Sequence, residues 1–259
     1  IDLGITYFDT APNYGSPSSK YGTAEMKLRE VLQIRRKEVF LVTKVEPQDP
    51  TRDGILRQID DSLMRLGVSH IDAAHIHNLG DWDLAQLMGP SGALAGLEEA
   101  RKRGLIRFIG TTGHMRVPAF VPVHDSGRVD LTMNQLNFAD RMNYNFEDTI
   151  LPVARKHRMG IVAMKVFGGA IDWIHDLKTP GNFLRNADQI SRFHAKAIRY
   201  SLGIADVACA VIGLSNEAEV RQAVAVAKTL TPLTAAERTA LRAEGQKLAA
   251  GRGMYYGAP

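Results

Sequence analysis

The sequence predicts an α/β fold on a parallel sheet, a (β/α)8 TIM barrel whose first β-α unit is missing from the chain. Three observations lead there. Apolar, strand-like stretches alternate with amphipathic ones seven times. Several of the strands are almost continuously hydrophobic, as strands covered on both faces are. No G-x-G-x-x-G follows any strand, which weakens the dinucleotide-binding form of the open sheet. Repeated β-α units with right-handed crossovers leave the open doubly wound sheet and the closed barrel as the main outcomes. Seven strands is one short of a barrel. The opening "IDLG" reads as the tail of a helix whose preceding strand lies outside the sequence, a unit of roughly 30 residues.

In order, the predicted strands are ITYFDT (5–10), VFLVTK (39–44), IDAAHIH (71–77), IRFIGTT (106–112), LTMNQLNF (131–138), GIVAMKVF (160–167) and ACAVIGLS (208–215). Helices are predicted between and after them, at 19–33, 53–66, 92–104, 147–158, 187–202, 216–228 and 234–249. In the second, Ile55, Ile59, Leu63 and Leu66 recur at helical spacing and Gly67 stands where a C-cap belongs. In the third, acid comes early and base late, complementing the helix dipole, before Gly104. Asn216 and Thr234 are the expected N-caps of the last two.

The 259 residues suit one domain over 1–259, since barrels of about 250 residues are common. The net charge of +4 comes from scattered basic residues with no interleaved aromatics, which argues against a nucleic-acid partner. No apolar run approaches the ~20 residues of a membrane span. The lone Cys209 excludes an internal disulfide, fits a reducing, cytoplasmic setting, and is expected in the core. Because the chain starts mid-element, an export signal would not be visible.

Chemistry in such a barrel gathers at the carboxyl ends of the strands. Read in order, these ends carry Asp9, Lys44 and His77, with Tyr14 on the loop after Asp9. Tyrosine is a poor acid alone, with a pKa near ~10. An ammonium at Lys44 is expected to lower it, and Asp9 to keep that ammonium charged and oriented. His77 would hydrogen-bond a carbonyl oxygen beside the phenol. Such a group donates a proton to a forming oxyanion, which suits hydride delivery to an aldehyde or ketone from a cofactor.

The motifs GITYFDTAPNYG (4–15), VTK (42–44), IDAAHIH (71–77), RFIGTTGH (107–114), MNQLNF (133–138) and AMKVFGG (163–169) stand in an order and spacing that resemble the aldo-keto reductases. The resemblance covers essentially the whole chain and implies a (β/α)8 barrel and reduction of a small-molecule carbonyl. It places the family's catalytic tetrad on Asp9, Tyr14, Lys44 and His77. Its cofactor residues fall on Thr112 and Gly113, where the family has Ser-Asn, and on Gln135. Met164 stands where an aromatic often stacks on the nicotinamide, with Lys165 beside it. Gly213, Leu214, Ser215 and Arg221 occupy the segment that holds the adenosine 2′-phosphate. Many members carry a basic residue where Leu214 stands. The resemblance implies NADPH, and these departures open NADH as the alternative. They resemble a divergent bacterial branch.

Other readings attach to single residues. His75-x-His77 points two rings to one face, as in metal-dependent barrel hydrolases, but of the other histidines only His114 lies near a strand end, and His157 falls in a predicted helix. No metal is expected, and His75 reads as a core or supporting residue. Lys165 at a strand end would suit a Schiff-base aldolase or lyase. A cofactor-sensing module on the reductase fold is the third alternative. Trp82, Trp173 and Phe183, in the long loops at 77–92 and 168–188, either line the substrate pocket or anchor those loops.

Overall fold

The computed structural model describes residues 1–15, 21–169, 187–214 and 216–259, with the side chains of 187–192 excepted. Ser215, Trp173 and Phe183 therefore lie outside the described residues. Seven strands form one sheet in chain order: β1 (Tyr7–Asp9), β2 (Phe40–Val45), β3 (Ile71–Ile76), β4 (Ile106–Gly113), β5 (Leu131–Gln135), β6 (Gly160–Met164) and β7 (Val207–Ala210). All seven fall inside the stretches that hydrophobicity marked, or within a residue of them. By packing, the chain divides into two compact units, residues 1–113 with 119–131, and residues 114–118 with 132–259.

In the first unit β1 to β4 pair in parallel, with Asp9 opposite Val42, Val42 opposite Ala73, and Ala73 opposite Phe108. Val42, Ala73 and Leu131 form a buried cluster against Tyr7, Phe40 and Phe108. Tyr7 and Phe40 stack at 5.3 Å, and Phe40 and Phe108 at 6.0 Å. Side chains alternate along a strand, so the next positions on this same side are Lys44, His75 and Gly110. They form the adjoining row of the ladder.

The helices between these strands are α1 (Thr23–Arg35), α2 (Arg52–Leu66), α3 (Leu84–Met88) and α4 (Ala93–Lys102), with α5 (Phe120–Asp125) following β4. In α2 the Thr51 side chain accepts from the Gly54 amide, the predicted apolar face is buried, and Gly67 ends the helix at φ 68°. The short α3 and α5 were not predicted. Asp83 caps α3 by accepting from the amides of Ala85 and Gln86. Neither helix is long enough to display a helical period.

The second unit holds α6 (Phe146–Thr149), α7 (Leu151–Lys156), α8 (Ala187–Leu202), α9 (Glu217–Lys228) and α10 (Ala235–Arg252). The single helix predicted over 147–158 is thus two. Pro152, in the first turn of α7, has no amide hydrogen to continue the preceding helix, and His157 caps α7 instead of lying within it. Asn216 accepts from the Glu219 amide, and Thr234 forms a capping box with Glu237, as expected. Cys209 departs from expectation. It is half-exposed because β7 ends the strand order with β6 as its one neighbour in it.

A fully buried ion pair ties the end of α10 into this unit. Arg252 Nε donates to Asp140 Oδ1 at 3.0 Å, and its Nη2 donates to the Gly168 carbonyl at 2.6 Å. Asn137 Nδ2 donates to the other Asp140 oxygen at 2.8 Å. Even so, burial raises the Asp140 pKa, against the pull of Arg252. Removing one partner of such a pair leaves a charge uncompensated in the interior. Arg252→Ala is expected to lower the unfolding free energy by about 3–5 kcal/mol in urea titrations. A loss near that of an exposed pair, below about 1 kcal/mol, would contradict this placement.

Candidate active site

The strand register places the predicted residues. Asp9 ends β1, Lys44 is two residues beyond the Val42 that pairs with it, and His77 follows β3, its amide extending the ladder to the Val45 carbonyl at 3.0 Å. A turn places Tyr14, whose amide donates to the Ala11 carbonyl at 3.1 Å. All four belong to the first unit.

Lys44 has no side-chain exposure, and Asp9 has 6%. The Lys44 Nζ donates to Asp9 Oδ1 at 2.7 Å, to Oδ2 at 2.8 Å and to the Thr10 carbonyl at 2.8 Å. Tyr14 lies against the same ammonium, its ring centroid 4.4 Å from Nζ. Burial, the largest single influence on Lys44, pulls its pKa down. Asp9 and then Tyr14 more than offset it, so the pKa is raised and the ammonium stays charged.

Tyr14 corrects one expectation. Its pKa is raised from 10.0, not lowered. Burial of the phenol outweighs the downward pull of Lys44, and the Asp9 carboxylate adds to the rise. The phenol is therefore held protonated, as an acid waiting for a base stronger than water.

His77 is buried, with its ring edge-on to Tyr14 at 6.1 Å between centroids. Its Nδ1 lies 2.7 Å from Glu46 Oε1, and its carbonyl accepts from Trp82 Nε1 at 3.0 Å. Trp82 is thus a buried anchor of this loop. Glu46 was missed by the sequence analysis, though its signal was present: it stands two residues after Lys44, on the same side of the strand. Gln58 fixes the Glu46 backbone through two hydrogen bonds, at 2.8 and 3.1 Å. His75 is fully buried, neither ring nitrogen has a hydrogen-bond partner, and its pKa falls well below 6.5 through burial, Lys44 and His77 in that order. It is a neutral core imidazole beside Gly110, where a Cβ would come within 2.5 Å of the ring. Among the described residues no three or more metal-ligating side chains converge.

The expected cofactor residues are spread over both units. Thr112 and Gly113 end β4 and are buried in the first, and a Cβ on Gly113 would come within 2.9 Å of Phe120. In the second, Gln135 and Met164 end the adjacent strands β5 and β6, where the Leu136 amide donates to the Met164 carbonyl at 3.2 Å. Gln135 donates to the His114 carbonyl at 3.1 Å, while its Oε1 is buried without a partner. Lys165 has a left-handed backbone, φ 54°, and its carbonyl accepts from Asn137 at 2.9 Å and from the Gly168 amide at 2.7 Å. Gly213 borders open space, and Leu214 packs on the α8–α10 core. Arg221 is exposed on α9 and turned to Glu217, with Nε to Oε1 at 2.9 Å.

The aldo/keto reductase family model matches residues 1–243. The chain belongs to the aldo/keto reductase family. L-galactose dehydrogenase of Arabidopsis thaliana is 26% identical to this reductase over 89% of the chain and 76% of its own length. D-threo-aldose 1-dehydrogenase of a Pseudomonas species is 26% identical over 85% and 78%. Among solved structures, the holo form of an aldo-keto reductase from Bacillus halodurans superposes with a TM-score of 0.73 at 24% identity, covering 96% of this chain and 84% of its own. One from Klebsiella pneumoniae in complex with NADP and acetate gives 0.70 at 21% identity, covering 100% and 82%. These structures show the (β/α)8 fold for the reductase, as its sequence predicted. No described helix is long and apolar enough to cross a membrane.

The Lys44–Asp9 pair yields a pH prediction. A lysine whose folded-state pKa is raised stabilises the fold below its ordinary value, and that stability is lost as pH rises through the raised one. Asp9→Asn removes the main upward influence on Lys44 and leaves burial. Over about pH 8 to 12, spanning the ordinary lysine value, melting curves are expected to show the wild type losing stability as Lys44 deprotonates and the variant lacking that loss. A lysine whose folded pKa is no longer raised binds no more protons folded than unfolded. Coincident alkaline limbs would show that Asp9 does not hold the charge.

Proposed function

We propose that this aldo/keto reductase reduces an aldehyde or ketone to an alcohol with NADPH, or NADH, and that Tyr14 supplies the proton. The observation that carries the reading is the Tyr14 phenol seated on a buried Lys44, held charged by Asp9 behind it. The relatives named for L-galactose and D-threo-aldose point to hydroxylated, sugar-like carbonyl compounds as the substrate class. The NADP complex of the Klebsiella relative supports the cofactor. So does the unpartnered Gln135 Oε1, a buried acceptor that suits a carboxamide N–H. Thr112, Gly113, Gln135, Met164 and Lys165 would serve the nicotinamide end. Gly213, Leu214, Ser215 and Arg221 would meet the adenosine phosphate end.

When bound, the reduced nicotinamide supplies hydride to the carbonyl carbon. The chain's own residues do the rest. Charge builds on the substrate oxygen, and the Tyr14 hydroxyl proton passes to it. Lys44 stabilises the phenolate left behind, and Asp9 keeps Lys44 charged and aimed. His77 orients the oxygen-bearing end of the substrate. A charged Lys44 argues against it as a Schiff-base nucleophile, which must be a neutral amine. A single cysteine fits work in a reducing compartment such as the cytoplasm.

Fluorescence titration of the chain with NADPH and with NADH, followed by multiple-turnover assays on an aldehyde panel, tests the proposal. Tyr14→Phe is expected to bind cofactor nearly as the wild type does and to turn over at least ~10²-fold more slowly, the size of a lost general acid. Unchanged turnover in that variant would remove Tyr14 from its role. Cofactor binding with no turnover in the wild type would instead favour a sensing module.

A further inference from the structure

We propose that Glu25 is a positioning residue for Tyr14: it fastens the first turn of α1 to β2, and that turn holds the loop that sets the phenol against the Lys44 ammonium. The inference rests on the reductase reading above and adds to it what holds the proton donor in place.

The contacts form a closed circuit within the first unit. Tyr14 lies on the loop between β1 and α1. Its carbonyl accepts from the Ala24 amide at 3.3 Å, and the Pro12 carbonyl accepts from the Gly22 amide at 2.6 Å. The N-cap of α1 is Gly22, which offers no side chain, so the Tyr14 carbonyl takes an amide that a helix start otherwise leaves unmet. Glu25 is the next residue and is fully buried. Its Oε1 accepts from Thr43 Oγ1 at 2.6 Å, and its Oε2 accepts from Arg65 Nε on α2. Thr43 precedes Lys44 on β2, and alternation turns the two side chains to opposite faces of the strand. β2 therefore reaches Tyr14 twice. From one face it does so through the ammonium, 4.4 Å from the ring centroid. From the other it does so through Thr43, Glu25 and the Ala24 amide.

The neighbouring residues serve the same contact. Gly22 has φ 85°, and a Cβ there would come within 2.2 Å of Arg65 Cδ. The bend into α1 thus uses glycine both for its left-handed backbone and for the room it leaves to the arginine. Arg65 is steadied on its own helix by donating to Ser62 Oγ at 3.1 Å, and it lies over the Tyr21 ring at 5.5 Å. Because Thr43 points away from the Lys44 face, Glu25 stands apart from the reacting atoms. Its effect on the reaction runs through the placement of Tyr14, and about 1 Å of misplacement can cost ~10²-fold in rate.

Three variants test this. Glu25→Gln keeps the shape but turns an N–H toward one of the two donors, Thr43→Val removes the hydroxyl, and Thr43→Ser keeps it. In the full chain labelled with 13Cζ-tyrosine, loss of one signal in Tyr14→Phe assigns Tyr14 among the seven tyrosines. At a temperature where each variant is folded, the Tyr14 signal is expected to move in Glu25→Gln and Thr43→Val and to keep its wild-type position in Thr43→Ser. The other tyrosines, apart from Tyr21 beside Arg65, are expected to stay in place. A Tyr14 signal that does not move while the melting temperature falls would make Glu25 a stabilising residue only and overturn the proposal. With glyceraldehyde, kcat is expected to fall about 10- to 10²-fold in Glu25→Gln and Thr43→Val. The NADPH dissociation constant from fluorescence titration should stay nearly unchanged, and Thr43→Ser should recover kcat. Wild-type kcat in the first two variants would equally overturn it. If Glu25→Gln does not fold, Thr43→Val decides. Absence of turnover in the wild type would sink the reductase reading alone, because the tyrosine signal is read without substrate or cofactor.

Discussion

A lysine ammonium with no exposure to water is the constraint on which the candidate site depends. Such a charge costs several kcal/mol to desolvate unless its hydrogens are all met. Lys44 has three N–H donors and three oxygens to receive them, two from Asp9 and one from the Thr10 backbone. Those oxygens come from one short strand end and the residue after it. β1 must therefore pair with β2 in one register, since a slip of one residue would turn Asp9 to the other face. The three residues of β1 have little apolar area to fix that register by themselves, and the ion pair supplies what they lack.

The same charge governs its neighbours differently according to distance and burial. For Tyr14 it competes with desolvation and loses, so the phenol stays protonated. For His75 it acts with desolvation, and the ring stays neutral. A protonated phenol and a neutral core imidazole thus surround one fixed cation, the arrangement on which the proposed proton transfer rests. In the proposed reaction the cation would matter most when the phenol loses its proton, because only then would Tyr14 add a second negative charge to that of Asp9. A difference of that kind between two states of one group is what transition-state stabilisation would require of the lysine in the proposed role.

Much of this was legible in the sequence. The seven strands carried their own signal in near-continuous apolar runs, and α2, α9 and α10 announced themselves by caps that the structure uses, Gly67, Asn216 and Thr234. Asp9, Lys44 and His77 could be placed together because strand ends in a parallel sheet share one edge. What escaped notice was short or depended on burial. Five- and six-residue helices such as α3 and α5 have too few turns for periodicity to register. The break between α6 and α7 turns on Pro152, a residue that is also acceptable in a helix's first turn and so reads either way. The direction of the Tyr14 shift needed the balance of burial against charge, which spacing does not carry. Cys209 was read from its apolar neighbours, whereas its exposure follows from the place of β7 at the end of the strand order.

Glu46 is the instructive case. Its period-two relation to Lys44 was visible, yet a carboxylate near a strand end has many dull uses, and its partner His77 lies 31 residues away. Only the register of β2 against β3, Lys44 opposite His75 and Val45 opposite Ile76, brings the two positions beyond those pairs side by side. The same step of two residues along two paired strands turns the Lys44–His75 row into the Glu46–His77 row above it. One row holds the Lys44 charge within the strands; the next joins a carboxylate to an imidazole just past their ends. The side chains of the site are thus layered along the strands, the lower row held by Asp9 and the Thr10 carbonyl and the upper by Gln58 and Trp82.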